Sequence, residues 1–169
     1  MAKKQANAQR EAQLIAEWIA TLHPSWQVKT NVKVGEQTLI YKGVRLTPAQ
    51  QRAFSVWSDW CDARVVTPSE IWIVEGKLVG LGTAYGQVYD YLDQYRLSAD
   101  YQLWQPRQVV GVVVCQAERP RTAQLFAKLG IRTIVFQPTF SLDQSLAKIF
   151  PQAQVLAGSQ TTEQVTPGT

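Results

Sequence analysis

The apolar run at residues 108–115 limits the folds open to this chain more than any other feature. After Gln108 it contains only valines, a glycine and Cys115, so a strand formed here must be covered on both faces. A helical pattern at residues 122–129, ended by Gly130, and another apolar run at residues 133–136 follow directly. Strand, helix and strand with such short links predict a parallel crossover. We therefore expect an α/β fold.

Several further elements are expected before residue 108, from helical spacing, strand alternation and turn residues. They are a helix at residues 5–22, a hairpin of residues 27–34 and 37–41, a short helix after Thr47, two strands at residues 62–66 and 71–77 joined by a turn, and a second long helix at residues 84–97. Together with the crossover they predict a mixed sheet flanked by helices.

The domain organisation follows from length and composition. A chain of 169 residues that is 46% hydrophobic is large enough for one core and small for two. We expect a single domain at residues 5–150, with a helical insertion near residues 47–60 and a last helix at residues 141–150. The segment at residues 151–169 is polar and rich in threonine and glutamine, so we expect it to be disordered.

Composition also excludes several classes of function. Two cysteines are too few for a disulfide framework, and with a single histidine they cannot form a usual zinc site. That histidine, His23, precedes Pro24 where a helix ends, which argues against a Ser-His or Cys-His nucleophile. No stretch is apolar enough to span a membrane, and the first residues lack the apolar core of a signal peptide. We expect a soluble, cytoplasmic protein without a membrane partner.

The charge distribution favours a polyanionic partner. The net charge is +4, and eight basic residues stand against three acidic ones before Asp59. A modest positive field of this kind attracts nucleic acid.

Residues Glu75, Gly76 and Lys77 end the apolar run that begins at Ile71. Strand alternation places the side chains of Glu75 and Lys77 on the face of Ile71, next to each other. If the strands on either side of the turn pair as a hairpin, Asp62 can lie close to Glu75. Two carboxylates beside an ammonium suit a hard divalent cation such as Mg²⁺ or Mn²⁺, and the hydrolysis of a phosphodiester bond.

Ordinary explanations exist for each of these acids. An acid and a base two positions apart on a strand usually form a surface ion pair of little consequence. Here the pair emerges from an apolar run, where charges need partners or a metal. Glu11 lies two helical turns before Trp18, on the buried face of the first helix. It is either a further functional acid or a carboxylate favoured by the helix dipole.

The order of elements and the position of these residues resemble the PD-(D/E)XK nuclease superfamily. The similarity covers most of residues 9–137, with Asp62 on the second core strand, Glu75-Gly76-Lys77 on the third and Glu11 on the first helix. The resemblance implies a restriction-endonuclease-like mixed sheet with the core order α-β-β-β-α-β-α-β. It also implies that Asp62, Glu75 and the Gly76 carbonyl hold Mg²⁺ or Mn²⁺, that Glu11 completes the metal shell, and that Lys77 positions or deprotonates the attacking water.

Gln87 and Tyr91 add the spacing Gln-x-x-x-Tyr, which is similar to a motif of the RecB-like branch of that superfamily. The resemblance implies that Gln87 and Tyr91 lie one helical turn apart over the site, where Gln87 orients Lys77 or contacts the nucleic-acid backbone and Tyr91 takes part in binding nucleic acid. The alternative is a helix surface with two ordinary polar residues. Cys61 stands where many members have a proline. Candidate phosphate contacts are the basic residues Arg64, Arg45, Lys42, Lys29, Lys33 and Arg52.

The function expected from these observations is that of a Mg²⁺- or Mn²⁺-dependent deoxyribonuclease acting on DNA. The resemblance also implies that it works as a homodimer or as a subunit of a larger nucleic-acid-processing complex. The alternative is a catalytically inactive nuclease-fold module for DNA binding or assembly, as in a phage or mobile element. A third interpretation is an unrelated α/β protein, which predicts that Glu11, Asp62 and Gln87 lie far from Glu75.

Overall fold

The computed structural model describes residues 2–34, 40–41, 44–45, 47, 49, 59–80, 82–96 and 98–140. Most of the expected insertion near residues 47–60, the expected helix at residues 141–150 and the polar tail at residues 151–169 lie outside this part. The described elements, in chain order, are α1 (Ala2–Ile19), β1 (Gln27–Lys33), β2 (Ile40–Tyr41), β3 (Val44–Arg45), β4 (Trp60–Val66), β5 (Glu70–Gly80), α2 (Gly82–Arg96), α3 (Ala99–Gln102), β6 (Gln108–Glu118), α4 (Pro120–Ala127) and β7 (Ile131–Val135).

Five of these strands form one open mixed sheet in the order β1-β4-β5-β6-β7, within the described residues. Strands β1, β4 and β5 pair antiparallel, whereas β5, β6 and β7 pair parallel. The parallel pairing of β6 with β7, joined by α4, confirms the crossover expected from the apolar runs. The protein is therefore an α/β protein with a mixed sheet, as the sequence predicts.

The hairpin expected from residues 27–34 and 37–41 is not the pairing that β1 adopts. Strand β1 pairs with β4, with Gln27 opposite Val66 and Lys33 opposite Trp60. The short strands β2 and β3 pair with each other instead. Alternation in a sequence identifies a strand but not its partner, because the same pattern fits any neighbour that covers the apolar face.

Helices α1 and α2 cover opposite faces of the sheet. On one face Leu14, Ile15 and Trp18 of α1 pack against Trp72 and Val74 of β5. We call this the α1-side core. On the other face, the α2-side core, buried residues of α2 pack against alternate residues of β5 and β6: Tyr85, Val88, Tyr91, Leu92 and Tyr95 meet Ile71, Ile73, Val109 and Val113. None of the helices within the described ranges has the length and apolar character needed to cross a membrane.

Close packing of α2 on β6 depends on Gly111. A Cβ atom at this position would lie 2.5 Å from Val88 Cγ1, 3.2 Å from Leu92 Cδ1 and 3.3 Å from Ile131 Cγ1. All three neighbours are buried in the α2-side core and cannot move freely. We expect Gly111→Ala to lower the free energy of unfolding by about 1–3 kcal/mol, measured by denaturation in urea.

Gly86→Ala is the matched control for this prediction. Gly86 lies within α2, and a Cβ atom there would meet nothing within 4 Å. Alanine favours a helix over glycine, so this variant should gain up to about 1 kcal/mol. Equal losses of stability in the two variants would contradict the packing argument.

Candidate functional site

Strands β4 and β5 separate at Asp62. Their last paired residues are Ala63 and Val74. Beyond this pair the Gly76 N–H donates a hydrogen bond of 2.7 Å to Asp62 Oδ2. The carboxylate therefore satisfies a backbone donor that a continued ladder would have used, and its position is fixed relative to residues 75–77.

The backbone at Asn31 explains why the Asp62 side chain departs from the regular alternation of side chains between the two faces of β4. Asn31 lies between Thr30 and Val32, which pair with the two neighbours of Asp62, and it has a φ of 50°, a left-handed conformation that asparagine tolerates better than most residues. On β1, Val28 packs on the α1-side core whereas Val32 belongs to the α2-side core, although alternation would place both on one face. Cys61 of β4 likewise belongs to the α2-side core. The side chains of β1 and β4 thus change faces of the sheet near Asn31 and Asp62.

Gly76 allows α1 to approach the end of β5. A Cβ atom on Gly76 would lie 2.9 Å from Ile15 Cδ1, closer still to Ile15 Cγ1, and 3.4 Å from Asp62 Oδ2. Any larger residue would push α1 away from the strand. Because Glu11 lies one helical turn before Ile15, the same approach brings Glu11 to the end of β5.

The amine of Lys77 lies between carboxylates from two elements. Lys77 Nζ is 2.8 Å from Glu75 Oε1 and 3.5 Å from Glu11 Oε2. The Glu75 side chain is 6% exposed, while those of Lys77 and Glu11 are each 27% exposed. Four predicted site residues, Glu11, Asp62, Glu75 and Lys77, are therefore brought together, with the Gly76 backbone among them.

Burial and mutual repulsion shift the pKa values of both strand acids. Burial, together with the charges of Asp62 and Glu11, raises the pKa of Glu75 to about 7, even though Lys77 opposes the shift. Burial also raises the pKa of Asp62, against the lowering effect of the Gly76 N–H and of Lys77. The site thus holds its negative charge at a cost in free energy, and a cation would relieve that cost.

The protonation state of Lys77 follows from its neighbours. Burial works to lower the pKa of Lys77, but the hydrogen bond to Glu75 and the charges of Glu75, Glu11 and Asp62 together raise it above its usual value. Lys77 is therefore an ammonium at neutral pH. It can donate hydrogen bonds and stabilise negative charge, but it cannot accept a proton as a general base.

The donor set suits a metal that keeps much of its hydration. Within the described ranges, no group of three or more His, Cys, Asp or Glu side chains is placed to hold a metal ion. The available oxygens are the carboxylates of Asp62 and Glu75 and the carbonyl of Gly76. Mg²⁺ is often bound by one or two carboxylates, with waters and substrate phosphates completing its shell. The residues present fit Mg²⁺ or Mn²⁺ in this sense, and do not form a cage made of protein ligands alone.

Gln87 and Tyr91 differ in their relation to the site. Tyr91 is buried beneath it, where burial, followed by the charges of Glu75, Asp59 and Asp62, raises the pKa of its hydroxyl. Gln87 is exposed on α2 and forms no hydrogen bond with any other described residue. The amide is thus not seen orienting Lys77. The interpretation of an unrelated α/β protein predicts that Glu11 and Asp62 lie far from Glu75. Both acids instead lie near it.

Arg64 is not the surface cation that its sequence position led us to expect. Its side chain is 7% exposed, pairs with Asp100 and lies 5.2 Å over the ring of Trp104. This geometry removes Arg64 from the candidate phosphate contacts. The side chain of Arg45 and all of Lys42 lie outside the described residues.

The partners of Arg64 were missed by reasoning from the sequence. Asp100 also accepts a hydrogen bond from the Tyr95 hydroxyl, and it belongs to α3, whose first turn Ser98 caps. The Ser98 cap was a readable signal for this short helix. Nothing local pairs Asp100 with an arginine 36 positions earlier.

The chain was compared with protein-family models, with curated proteins and with solved structures, and none of them matches it.

Proposed function

We propose that this protein is a metal-dependent nuclease of the PD-(D/E)XK type that hydrolyses phosphodiester bonds, most directly in DNA. The observation that carries the proposal is the position of the Lys77 amine, which touches carboxylates from β5 and α1 beside an Asp62 carboxylate held on the Gly76 backbone. The order of helix α1, an antiparallel three-stranded unit, helix α2 and a parallel crossover supports the same proposal.

Asp62, Glu75 and the Gly76 carbonyl are the groups that would hold the cation. The chemistry that Mg²⁺ or Mn²⁺ supplies when bound is polarisation of a water and neutralisation of phosphate charge. Glu75 must lose its proton to serve as a ligand, and its pKa of about 7 puts that step near neutral pH. Glu11 contacts Lys77 directly, so its first role is to hold the amine in place.

Lys77 acts on the reacting groups as a permanent cation. Its ammonium has three N–H donors, and Glu75 and Glu11 orient it from two sides. It can donate a hydrogen bond to the attacking water and stabilise the negative charge that develops on the phosphate. Proton abstraction by Lys77 is not part of this mechanism, because its neighbours raise its pKa.

The decisive experiment is incubation of the chain with supercoiled, linear and branched DNA, in Mg²⁺, Mn²⁺ or chelator. We expect cleavage that requires the metal and falls by roughly 10²-fold or more in Asp62→Asn. An asparagine oxygen can still accept the Gly76 N–H, so this variant should fold. Asp93→Asn is the matched control, because Asp93 is exposed on α2 and should leave cleavage unchanged.

A nuclease-fold module that binds nucleic acid without cleaving it is the second candidate. It is favoured by the limited acidic donor set, in which the described residues supply no group of three metal-binding side chains. Such a module would retain DNA equally in Mg²⁺ and in chelator and would leave it intact. Cleavage that survives chelation, or binding without cleavage, would overturn the proposal of a metal-dependent nuclease.

A further inference from the structure

A second concave site lies at the other end of the β4–β5 pair, away from Asp62. It is a cavity of about 300 Å³ beside the turn that joins the two strands. Its aromatic and polar lining comes from three separate segments: Ser25, Trp26 and Gln27 before and at the start of β1, Thr67 in the turn, and Trp104 and Arg107 before β6. A cavity of this size accepts a small ligand or one unit of a polymer.

Two arginines hold the indole wall of this cavity. The guanidinium carbons of Arg64 and Arg107 lie 5.2 and 5.8 Å from the centre of the Trp104 ring. Arg107 is itself fixed, because its Nε donates to the Thr67 carbonyl at 2.9 Å and its Nη1 to the Trp104 carbonyl at 3.3 Å. The Trp104 N–H is buried without an acceptor in the part of the chain that is described. A buried N–H without an acceptor costs free energy, so stability alone does not account for an indole at this position.

The charges around the cavity favour an anion. Arg107 is the charged residue in the lining, and two of its five guanidinium N–H donors are engaged with the backbone oxygens named above. Arg64 is balanced by Asp100, whereas Lys29 adds further positive charge close enough to act on Asp100. Arg107 lies over the Trp104 ring, and this pair matches the two parts of a nucleotide, since a base stacks on an indole–guanidinium pair and a phosphate pairs with the guanidinium donors that the backbone leaves free.

Strand β1 connects this cavity to the candidate catalytic site. Gln27 lines the cavity, while Lys33, at the other end of β1, lies opposite Trp60 two residues before Asp62. Lys29, Thr30 and Asn31 between them are exposed. Along β4, Val66 at the cavity and Asp62 are about 13 Å apart at the usual rise of a strand.

We propose that the cavity binds one unstacked nucleotide of a single-stranded segment, whose chain continues along β1 to the carboxylates. The proposal rests on the proposed function, because it names the substrate class for the same site: nucleic acid with an unpaired end or stretch. The base stacks on the Arg107–Trp104 pair, the phosphate pairs with the free N–H donors of Arg107, and the Gln27 amide reaches the edge of the base. A free nucleotide has the same chemistry and is the other source that the test must separate.

The test is binding of a fluorescently labelled, 5′-phosphorylated oligothymidylate by anisotropy in chelator, so that cleavage plays no part. We expect Trp104→Leu to weaken binding about tenfold or more, because it removes the stacking face, and Trp104→Phe to retain most of it. Gln27→Glu adds a negative charge to the exposed rim without removing a packed group, and should weaken binding roughly three- to tenfold. Gln124→Glu makes the same change on α4, at the opposite edge of the sheet, and should have no effect.

Thymidine 5′-monophosphate as a competitor separates the two sources. We expect it to compete far more weakly than unlabelled oligothymidylate, because a strand also contacts β1. Equal competition would assign the cavity to a free nucleotide and overturn the strand assignment. Wild-type affinity in both Trp104→Leu and Gln27→Glu, or no binding to the wild-type protein, would overturn the site itself. Binding that depends on the cavity, without cleavage in Mg²⁺, would remove the proposed nuclease activity and leave this site standing.

Discussion

Lys77→Met is expected to reduce DNA cleavage by roughly 10²- to 10⁴-fold while the protein stays folded. Methionine keeps an unbranched side chain of similar length, so packing against Glu75 and Glu11 changes little. The ammonium is lost, and with it the donor to the attacking water and the charge next to the phosphate. The measurement is single-turnover cleavage of linear DNA in Mg²⁺, with the thermal melting temperature recorded for each variant.

The fold should tolerate this change because Glu75 can take a proton. Lys77 lowers the pKa of Glu75, which burial and the charge of Asp62 otherwise raise. Without Lys77 that pKa rises further, so Glu75 becomes neutral near neutral pH and no unpaired buried charge remains. Mn²⁺ must then displace the Glu75 proton in order to bind, so cleavage by the two proteins is compared at saturating Mn²⁺, which separates a loss of chemistry from a loss of the metal.

Lys128→Met is the matched control. Lys128 is exposed and lies at the end of α4, on the side of the molecule away from the site. Cleavage by this variant should equal that of the wild-type protein. If Lys77→Met also retained cleavage within about tenfold, transition-state stabilisation by the amine would be refuted.

The elements with strong local patterns were predictable from the sequence. The buried strand expected at residues 108–115 is β6, Gln108–Glu118, and the helix expected at residues 84–97 is α2, Gly82–Arg96. Both assignments rest on periodicity, which depends on neighbours along the chain. The parallel direction of β6 and β7 followed because short links around a helix leave few other arrangements.

The direction of the Asp62 side chain was not predictable in the same way. The strand patterns in the sequence predict that β4 and β5 stay paired beyond Ala63. In the structure the two strands separate there, and the Asp62 side chain accepts the Gly76 N–H instead. That geometry depends on the left-handed backbone at Asn31 and on the absence of a side chain at Gly76, where Ile15 packs. Neither condition can be read from residues that are adjacent in sequence, because each involves a neighbouring element.

The cavity was missed for a related reason. Arg64 in a strand has the sequence signature of a surface cation, and only α3 and the segment that follows it supply Asp100 and Trp104 to bury it. A nucleic-acid contact assigned from charge and from a strand face shared with Asp62 therefore fell on a residue that holds the wall of the cavity. Charge counts predict the class of partner, but burial decides which cations can reach it.

Glu75 should make the metal-free protein less stable as the pH rises. Its pKa is about 7 in the folded protein, against 4.5 for an ordinary glutamate, mainly because of burial and then of Asp62. Between these values the folded state binds a proton that the unfolded chain does not. The contribution of this proton to the free energy of unfolding is therefore complete below the lower value and is lost as the pH rises through the higher one. The raised pKa of Asp62 acts in the same direction. The expected loss between about pH 5 and about pH 8 is at most roughly 3 kcal/mol.

Glu75→Gln tests this linkage, because glutamine has nearly the same shape and no charge to lose. In chelator, its free energy of unfolding in urea should change little across the same pH range, so that it exceeds that of the wild-type protein at the alkaline end. Glu70→Gln is the control, because its hydrogen bond to Arg132 lowers the pKa of Glu70 and moves its titration below this window. That variant should keep the wild-type fall in stability.

Addition of Mn²⁺ at about pH 8 should stabilise the wild-type protein and Glu70→Gln, but should stabilise Glu75→Gln much less. Mn²⁺ stabilises a protein when it binds the folded state alone, and that binding requires the ionised Glu75. A Glu75→Gln protein that lost stability with pH as steeply as the wild type would place the crowded charge elsewhere, and with it the reason for a cation at this end of β5.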